Sequence, residues 1–468
     1  MRKHFDFYGY NAPTCGRYYM DDEVYTLGED YRSVKRYKEY KDIGFTQALL
    51  QHDNSYNGEK WETSSAKKCL DVCAKVGLKV ILEDKRIKDL PKEEILIGEN
   101  GRFKTEKELE DFIRDQTAIY RDHPAFYAIQ LQDEPAYKYL KNYAIVYKAI
   151  KRIFPEMGMQ CNLLNMVLHS FIAPNPAELQ TMQEDYDAYL RFFYKESGID
   201  YLMTDEYAFR GNNVLSPWSI PTFQVLANVC RDLGVELRLV LQSFCQEGMV
   251  VNKENPDFVE GSCHWRRIGE KEMYWQMNMA LGLGCKEFSY FTYFTKARKA
   301  LRVQRAVSDG IDGGALVNLD GTRTKLWFAT QKIIKEFKAF EPVIINYNYD
   351  NSYLFFPEGM DKNSFNYTKE AVISDTSKLP IKVTTSKCPI FVTEMKNGDA
   401  RMFMIQNADN PIEETLYKKR VPEIEIDLGN LAEKAKFYYK GKLVERKVEN
   451  GKLKEKLARG QALFIEVK

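Results

Sequence analysis

Residues 133–135 read Asp-Glu-Pro, just after the apolar run Phe126–Leu131 and just ahead of a helical segment. Adjacent carboxylates at the end of a buried strand can do proton chemistry. A carboxyl group that is partly desolvated, or that stands beside another negative charge, keeps its proton to higher pH and can serve as a general acid near neutrality. A second pair, Asp205-Glu206, closes another apolar run, Ile199–Thr204, and is followed by Tyr207. Each pair has a plain structural reading as well. Asp is a favoured N-cap and Pro a favoured early helical residue, so such a triplet is also how helices begin. Two pairs at the ends of two strands are harder to explain by caps alone.

The elements that must position these residues follow from periodicity. Up to residue 342, short apolar strand-like runs alternate with helical patterns. The strands are read at 5–11, 45–52, 78–82, 126–132, 159–164, 199–204, 236–241 and 287–294. Such runs suit a parallel sheet covered by helices, and eight strand–helix pairs are the arithmetic of an α/β fold of the (β/α)8 TIM-barrel type. A doubly wound open sheet is the alternative, but no Gly-x-Gly-x-x-Gly follows the first strand. After residue 343 the period falls to two. Turn signals appear at Lys396-Asn397-Gly398-Asp399 and Glu449-Asn450-Gly451-Lys452, each flanked by strand-like runs. The expected organisation is a barrel over 1–342 and a C-terminal all-β, sandwich-like accessory domain over 343–468.

In a parallel barrel the C-terminal strand ends form the catalytic rim. Alternation along the fourth strand puts Gln130, Gln132 and Glu134 on the face opposite Ile129 and Leu131, so Glu134 is expected at the mouth. Asp133 has the other parity, at a point where the strand is ending. Other strand ends add Tyr8, Tyr10 and Asn11; Gln51, His52 and Asp53; Glu83, Asp84 and Lys85; Gln242 and Gln246; Tyr290 and Tyr293. Singly, each is more readily a structural residue; His52 can be a satisfied buried histidine. Together they describe a cleft of carboxylates, amides and phenols, the groups that recognise sugars through directional hydrogen bonds and aromatic platforms. Candidate substrate-binding residues are Tyr10, His52, Gln132, Tyr207, Gln242 and Tyr293. Candidate catalytic residues are Glu134, Asp133, Glu206 and Asp205.

Composition excludes other classes. Lys and Arg number 68 against 67 Asp and Glu, a net charge of +1 with no basic stripe, so neither nucleic acid nor an anionic membrane is the expected partner. No apolar stretch is long enough to span a membrane. No leader segment is visible at the N-terminus, and the expected location is cytoplasmic. The nine cysteines are scattered, and Cys69 and Cys73 lack zinc-site spacing, so free thiols in a reducing compartment are expected. With five histidines and no metal-binding pattern, neither metal nor other cofactor is expected. A barrel lyase or isomerase would need a rim lysine, for which Lys85 is the candidate. The 30 tyrosines either line a sugar cleft or simply fill core and rim.

Glycosidic bond cleavage needs a carboxylic acid to protonate the leaving oxygen and a second group to attack or stabilise the oxocarbenium-like centre. A Glu ending strand four, with a β accessory domain, resembles the retaining glycoside hydrolases of the large clan A barrel group. Those usually carry Asn where this chain has Asp133. They place the nucleophilic Glu at the end of strand seven, where this chain has Leu241-Gln242-Ser243-Phe244, with Glu247 the nearest Glu. The adjacent Asp133-Glu134 resembles instead the retaining N-acetylhexosaminidases with substrate-assisted catalysis. That resemblance implies Glu134 as acid/base and Asp133 as the residue orienting a substrate acetamide, which is then the nucleophile. In the first case Glu206 or Asp205 is the nucleophile or a charge stabiliser. The expectation is a glycoside hydrolase acting on an oligosaccharide or glycoside. The alternative is a catalytically inactive carbohydrate-binding protein on the same scaffold. Segments 86–103, 210–220 and 246–268 are expected to wall the cleft.

Overall fold

The computed structural model describes residues 3–15, 17–20, 23–26, 29–210, 214–245, 265–295, 315–318, 320–385, 387–411 and 421–468. The eight expected strands are present as β1 Asp6–Gly9, β2 Gln47–Leu50, β3 Lys79–Leu82, β4 Phe126–Asp133, β5 Gly158–Asn162, β6 Tyr201–Asp205, β7 Glu236–Gln242 and β8 Glu287–Phe291. The helices after them are α1 Val34–Asp42, α2 Ser65–Val76, α3 Glu106–Thr117, α4 Leu140–Ile153, α5 Met182–Ser197, α6 Ser219–Leu233, α7 Glu270–Gly282 and α8 Lys325–Ile344. A short antiparallel pair, Arg17–Met20 with Glu23–Thr26, follows β1. The strands after α8 are β9 Asn348–Phe355, β10 Lys382–Thr385, β11 Ile390–Asn397, β12 Ala400–Asn407, β13 Glu423–Asp427, β14 Ala435–Tyr439, β15 Lys442–Val444, β16 Lys452–Lys456 and β17 Ala462–Val467.

The chain divides into two compact units. One comprises Asp6–Asp205 and Phe288–Thr324; the other comprises Met1–Phe5, Glu206–Glu287 and Lys325–Lys468. In the first, β2, β3, β4 and β5 form a parallel sheet in that order. Hydrogen bonds extend the series at both ends. Thr46 N–H donates to Phe7 O, Tyr10 N–H to Tyr290 O, and Leu163 N–H to Met203 O. The C-terminal ends of β1 to β6 and β8 thus belong to one unit, while β7 belongs to the other.

Local sequence explains the helices of this unit. The Ser64 hydroxyl accepts the Lys67 N–H at the start of α2, and Gly77, at φ 72°, ends it in the left-handed conformation that glycine tolerates. Cys69 and Cys73 lie on the buried face of α2 with Ala66, Leu70 and Val76, and both thiols are free. At α5, Thr181 and Glu184 close a capping box: the Thr181 hydroxyl accepts the Glu184 N–H, and Glu184 accepts the Thr181 N–H. Most of the tyrosine surplus goes inward. Tyr40, Tyr189 and Tyr201 are buried, and their hydroxyls donate to the carbonyls of Gly9, Pro135 and Met159.

In the second unit β9, β11, β12, β17, β14 and β15 form a six-stranded sheet, and β10, β13 and β16 a three-stranded one. Apolar residues from both, among them Ile390, Val392, Ile405, Ile424, Ile426, Leu453 and Ile465, form one core, as a sandwich requires. The β11–β12 hairpin forms at the expected turn, with Asn397 opposite Ala400 and Gly398 at φ 59°. The second expected hairpin is corrected. Its turn exists, with Asn450 and Gly451 at φ 52° and 76° and Glu449 bridging Lys452. Its flanks pair elsewhere: β16 joins β13, and β15 joins β14 across a turn at Lys440-Gly441. A turn reverses the chain, but the partner strand is chosen by the sheet that buries the apolar side chains.

The capping box at α5 gives a direct check. Thr181→Ala removes both its hydroxyl contacts and is expected to lower stability by about 1 kcal/mol, read as an earlier urea midpoint in the helical circular dichroism signal. An unchanged midpoint would show that α5 does not depend on its cap.

Candidate active site

The site is built where β4 and β5 lose register. Gln130 pairs with Gln160, Gln132 with Cys161 and Asp133 with Asn162, so β4 advances two residues while β5 advances one. Such a bulge re-aims the side chains beyond it. Asp133 therefore falls on the side of Gln130, Gln160 and Asn162, and Gln132 goes with Cys161. This corrects the parity expected from simple alternation: the ambiguous Asp133 is the residue set beside Asn162, and Gln132 is a buried strand residue.

Glu134 leaves the strand in the left-handed region, at φ 56°, with its N–H donating to Asn162 O at 2.7 Å. Two more non-glycine residues at strand ends of this unit share that conformation, Asn11 at φ 54° and His52 at φ 53°. Such backbone is held only when its surroundings over-determine it, and it clusters at functional sites. The Glu134 side chain is exposed, whereas Asp205 is 2 % exposed and Asn162 3 %.

One amide joins the carboxylates. Asn162 Nδ2 donates to Asp133 Oδ1 at 3.1 Å and to Asp205 Oδ1 at 2.9 Å. Glu134 is hydrogen-bonded to Asp205. The charge of Asp205 pushes the Glu134 carboxyl well above the usual carboxylate range, aided by partial desolvation and by Asp133. Burial, with the charge of Asp205, raises Asp133 to about 6; Lys88 and the Asn162 amide oppose the rise. Lys88 is paired with Glu83, itself buried, and Glu83 also accepts the His52 N–H at 3.4 Å. Residues from the ends of β2 to β6 thus converge. The arrangement can hold one proton on a solvent-accessible carboxyl in the neutral range. Among the described residues, no group of His, Cys, Asp or Glu is arranged to bind a metal ion.

The other expected site residues fall in several places. His52 is exposed at the end of β2, not buried. Tyr10 is buried and accepts from Gln160 Nε2 at 2.8 Å. Tyr293 is a core residue, its ring 4.6 Å from that of Tyr40 and 6.0 Å from that of Phe45. Glu206, Tyr207 and Gln242 belong to the other unit. There Glu206 is buried 3.8 Å from Arg210, and Tyr207 packs edge-on to Phe244 and Trp265. Gln242 is fully buried and spent on backbone: it accepts from Phe209 N–H and donates toward the carbonyls of Phe209, Phe244 and Arg266. It ties loops together and has no amide group left for a ligand. Asp84 is likewise structural, capping the turn at residues 85–88 and holding Arg86 and Tyr120. Gln246, Glu247 and most of segment 246–268 lie outside the described residues. Asn162 and Lys88 were missed by sequence reading. An Asn ending a strand carries no pattern of its own, and Lys88 is the lysine whose charge acts on Asp133.

No family model and no curated relative matches the chain by sequence. Solved structures do match it. A protein described as a glycoside hydrolase aligns over 99% of this chain and 92% of its own, at 10% identity and a TM-score of 0.52. A family 5 glycoside hydrolase from Bacteroides vulgatus aligns over 99% and 89%, at 11% identity and a TM-score of 0.50. The fold of this chain is that of glycoside hydrolases, mixed α/β with a separate antiparallel-sheet region.

The raised Asp133 gives a signed prediction. Its carboxyl titrates near 6 when folded and at roughly 3.9 when unfolded. Between those values the folded state holds the extra proton, so this group favours folding at low pH and loses that contribution as pH rises through about 6. Asp133→Asn is expected to raise the melting temperature at pH 7, with the gain shrinking toward pH 4. A gain that does not vary with pH, or no gain, would contradict the assignment.

Proposed function

We propose that this protein is a glycoside hydrolase with Glu134 as its acid/base, at the C-terminal rim of a (β/α)8 barrel formed by residues 1–342, with 343–468 as a β-sandwich accessory domain. The observation that supports it best is the Asn162 amide bridging Asp133 and buried Asp205, with solvent-accessible Glu134 next to Asp133. An acid for leaving-group protonation must be reachable and must hold its proton at working pH. Glu134 meets both needs. The glycoside-hydrolase fold of the chain is consistent with this reading.

The geometry also bears on the second group. Retaining enzymes that use their own nucleophile hold the two carboxyls ~5–5.5 Å apart, with the anomeric carbon between them. Asp205 acts on Glu134 directly, through its charge and side-chain hydrogen bonding, which fits a supporting acid better than a nucleophile set across a sugar. Asp205 therefore acts as a charged neighbour that keeps the proton on Glu134, and Glu206 is given no role. The reading favoured is substrate assistance. The acetamide of a 2-acetamido sugar attacks its own anomeric carbon, Asp133 accepts the acetamide N–H, and Glu134 protonates the leaving oxygen. Glu134 then takes a proton from the water that opens the cyclic intermediate, giving net retention.

A panel of aryl glycosides with and without the 2-acetamido group tests this. Turnover is expected for the acetamido sugars alone. Glu134→Gln should lower kcat by roughly 10²–10⁴-fold on substrates with poor leaving groups, with little effect on sugar binding measured by calorimetry. Full activity of Glu134→Gln would sink the assignment. Sugar binding without turnover across the panel would favour a carbohydrate-binding protein instead.

A further inference from the structure

The geometry points to Asn162 as a positioning residue: its side-chain amide and backbone carbonyl together place the single proton of the carboxylate cluster on Glu134. The inference deepens the reading of Glu134 as acid. It rests on where the hydrogen bonds of Asn162 point.

Asn162 touches all three carboxylate residues. Its Nδ2 donates to Asp133 and to Asp205, and its carbonyl accepts the Glu134 N–H. The amide orientation is fixed by chemistry, because the opposite flip would aim an oxygen at two acceptors. The two hydrogens of Nδ2 are thus both committed to carboxylate oxygens. Hydrogen bonds to the charged form of a carboxylate favour that form. Asn162 holds Asp133 and Asp205 each as an acceptor, and the charge of Asp205 strengthens the hold of Glu134 on a proton. Glu134 is also the exposed member, the one able to pass a proton to a ligand. The Asn162 Oδ1 is buried and has no hydrogen-bond partner among the described residues, so the amide is held by the two carboxylates it serves.

Three neighbouring groups make different contacts. Lys88, from the turn after β3, is paired with Glu83 and influences Asp133. Cys161, on β5, is a neutral thiol, pushed up by burial and by Asp133. Tyr189, on α5, spends its hydroxyl on Pro135 O and Leu164 N–H. None of these donates a hydrogen bond to both Asp133 and Asp205.

The test compares Asn162→Leu with Asn162→Asp. Leu keeps the volume and removes both donors. Asp133 or Asp205 should then keep a proton, and the Glu134 carboxyl should titrate lower by roughly one pH unit or more. In Asn162→Asp the new carboxyl can donate only while protonated, so the activity optimum should move to acid pH. Two readouts are used: the pH profile of kcat/KM on an aryl glycoside, and the titration of the ¹³C-labelled Glu134 carboxyl by NMR. The NMR readout needs no substrate, so it separates failure of this inference from failure of the hydrolase reading. If Asn162→Leu does not fold, the acid-shifted optimum of Asn162→Asp decides. A Glu134 titration unchanged in Asn162→Leu overturns the inference, as does an Asn162→Asp variant whose optimum stays at the wild-type pH.

Discussion

Three carboxyl groups at the ends of β4 and β6, on either side of β5, repel one another unless donors or protons stand between them. Here one amide group serves two of them, Asn162 Nδ2 between Asp133 and Asp205, and the charge of Asp205 raises the hold of the third, Glu134, on a proton. Like charges in a partly desolvated site raise one member's affinity for a proton. Other features of the rim supply this arrangement. The bulge in β4 turns Asp133 to the side of Asn162, and Glu134, with left-handed backbone, has its side chain in solvent while its own N–H stays tied to β5. Without the bulge, the two adjacent acids would point to opposite sides of the sheet.

The supporting shell works through backbone contacts. Tyr189 reaches from α5 to Pro135 O and Leu164 N–H, joining the loops that leave β4 and β5. Tyr201 ties β6 to β5 through Met159 O and Cys161 N–H. The phenols that composition could equally assign to a sugar cleft are therefore largely framing. A buried tyrosine fills core volume and satisfies a main-chain group at once, which suits a sheet whose strands are only four to eight residues long.

The antiparallel region is argued separately. Its two sheets share one apolar core, and its turns at Gly398, Lys440-Gly441 and Asn450-Gly451 all use left-handed backbone. Its ordering is not sequential, since the C-terminal strand β17 lies between β12 and β14. Ala462–Val467 is buried along its whole length, as a strand inside a sheet must be.

Short-range physics made much of this legible in sequence. Apolar runs alternating with helical periods made the eight strand–helix pairs legible, because periodicity acts within a turn or two of helix. They also placed Glu134 and Asp205 at strand ends. The tertiary structure alone decided which carboxylates meet. Period-two alternation cannot register a bulge, so the sequence left the direction of Asp133 open and put Gln132 on the wrong face. It had no signal for Asn162, whose importance lies in two acceptors 29 and 43 residues away. Nor could it tell that the amide of Gln242 is consumed by backbone, or that Tyr293 packs against Tyr40 and Phe45. Residue type and position limit what a side chain can do, but its partners across the sheet decide which of those things it does.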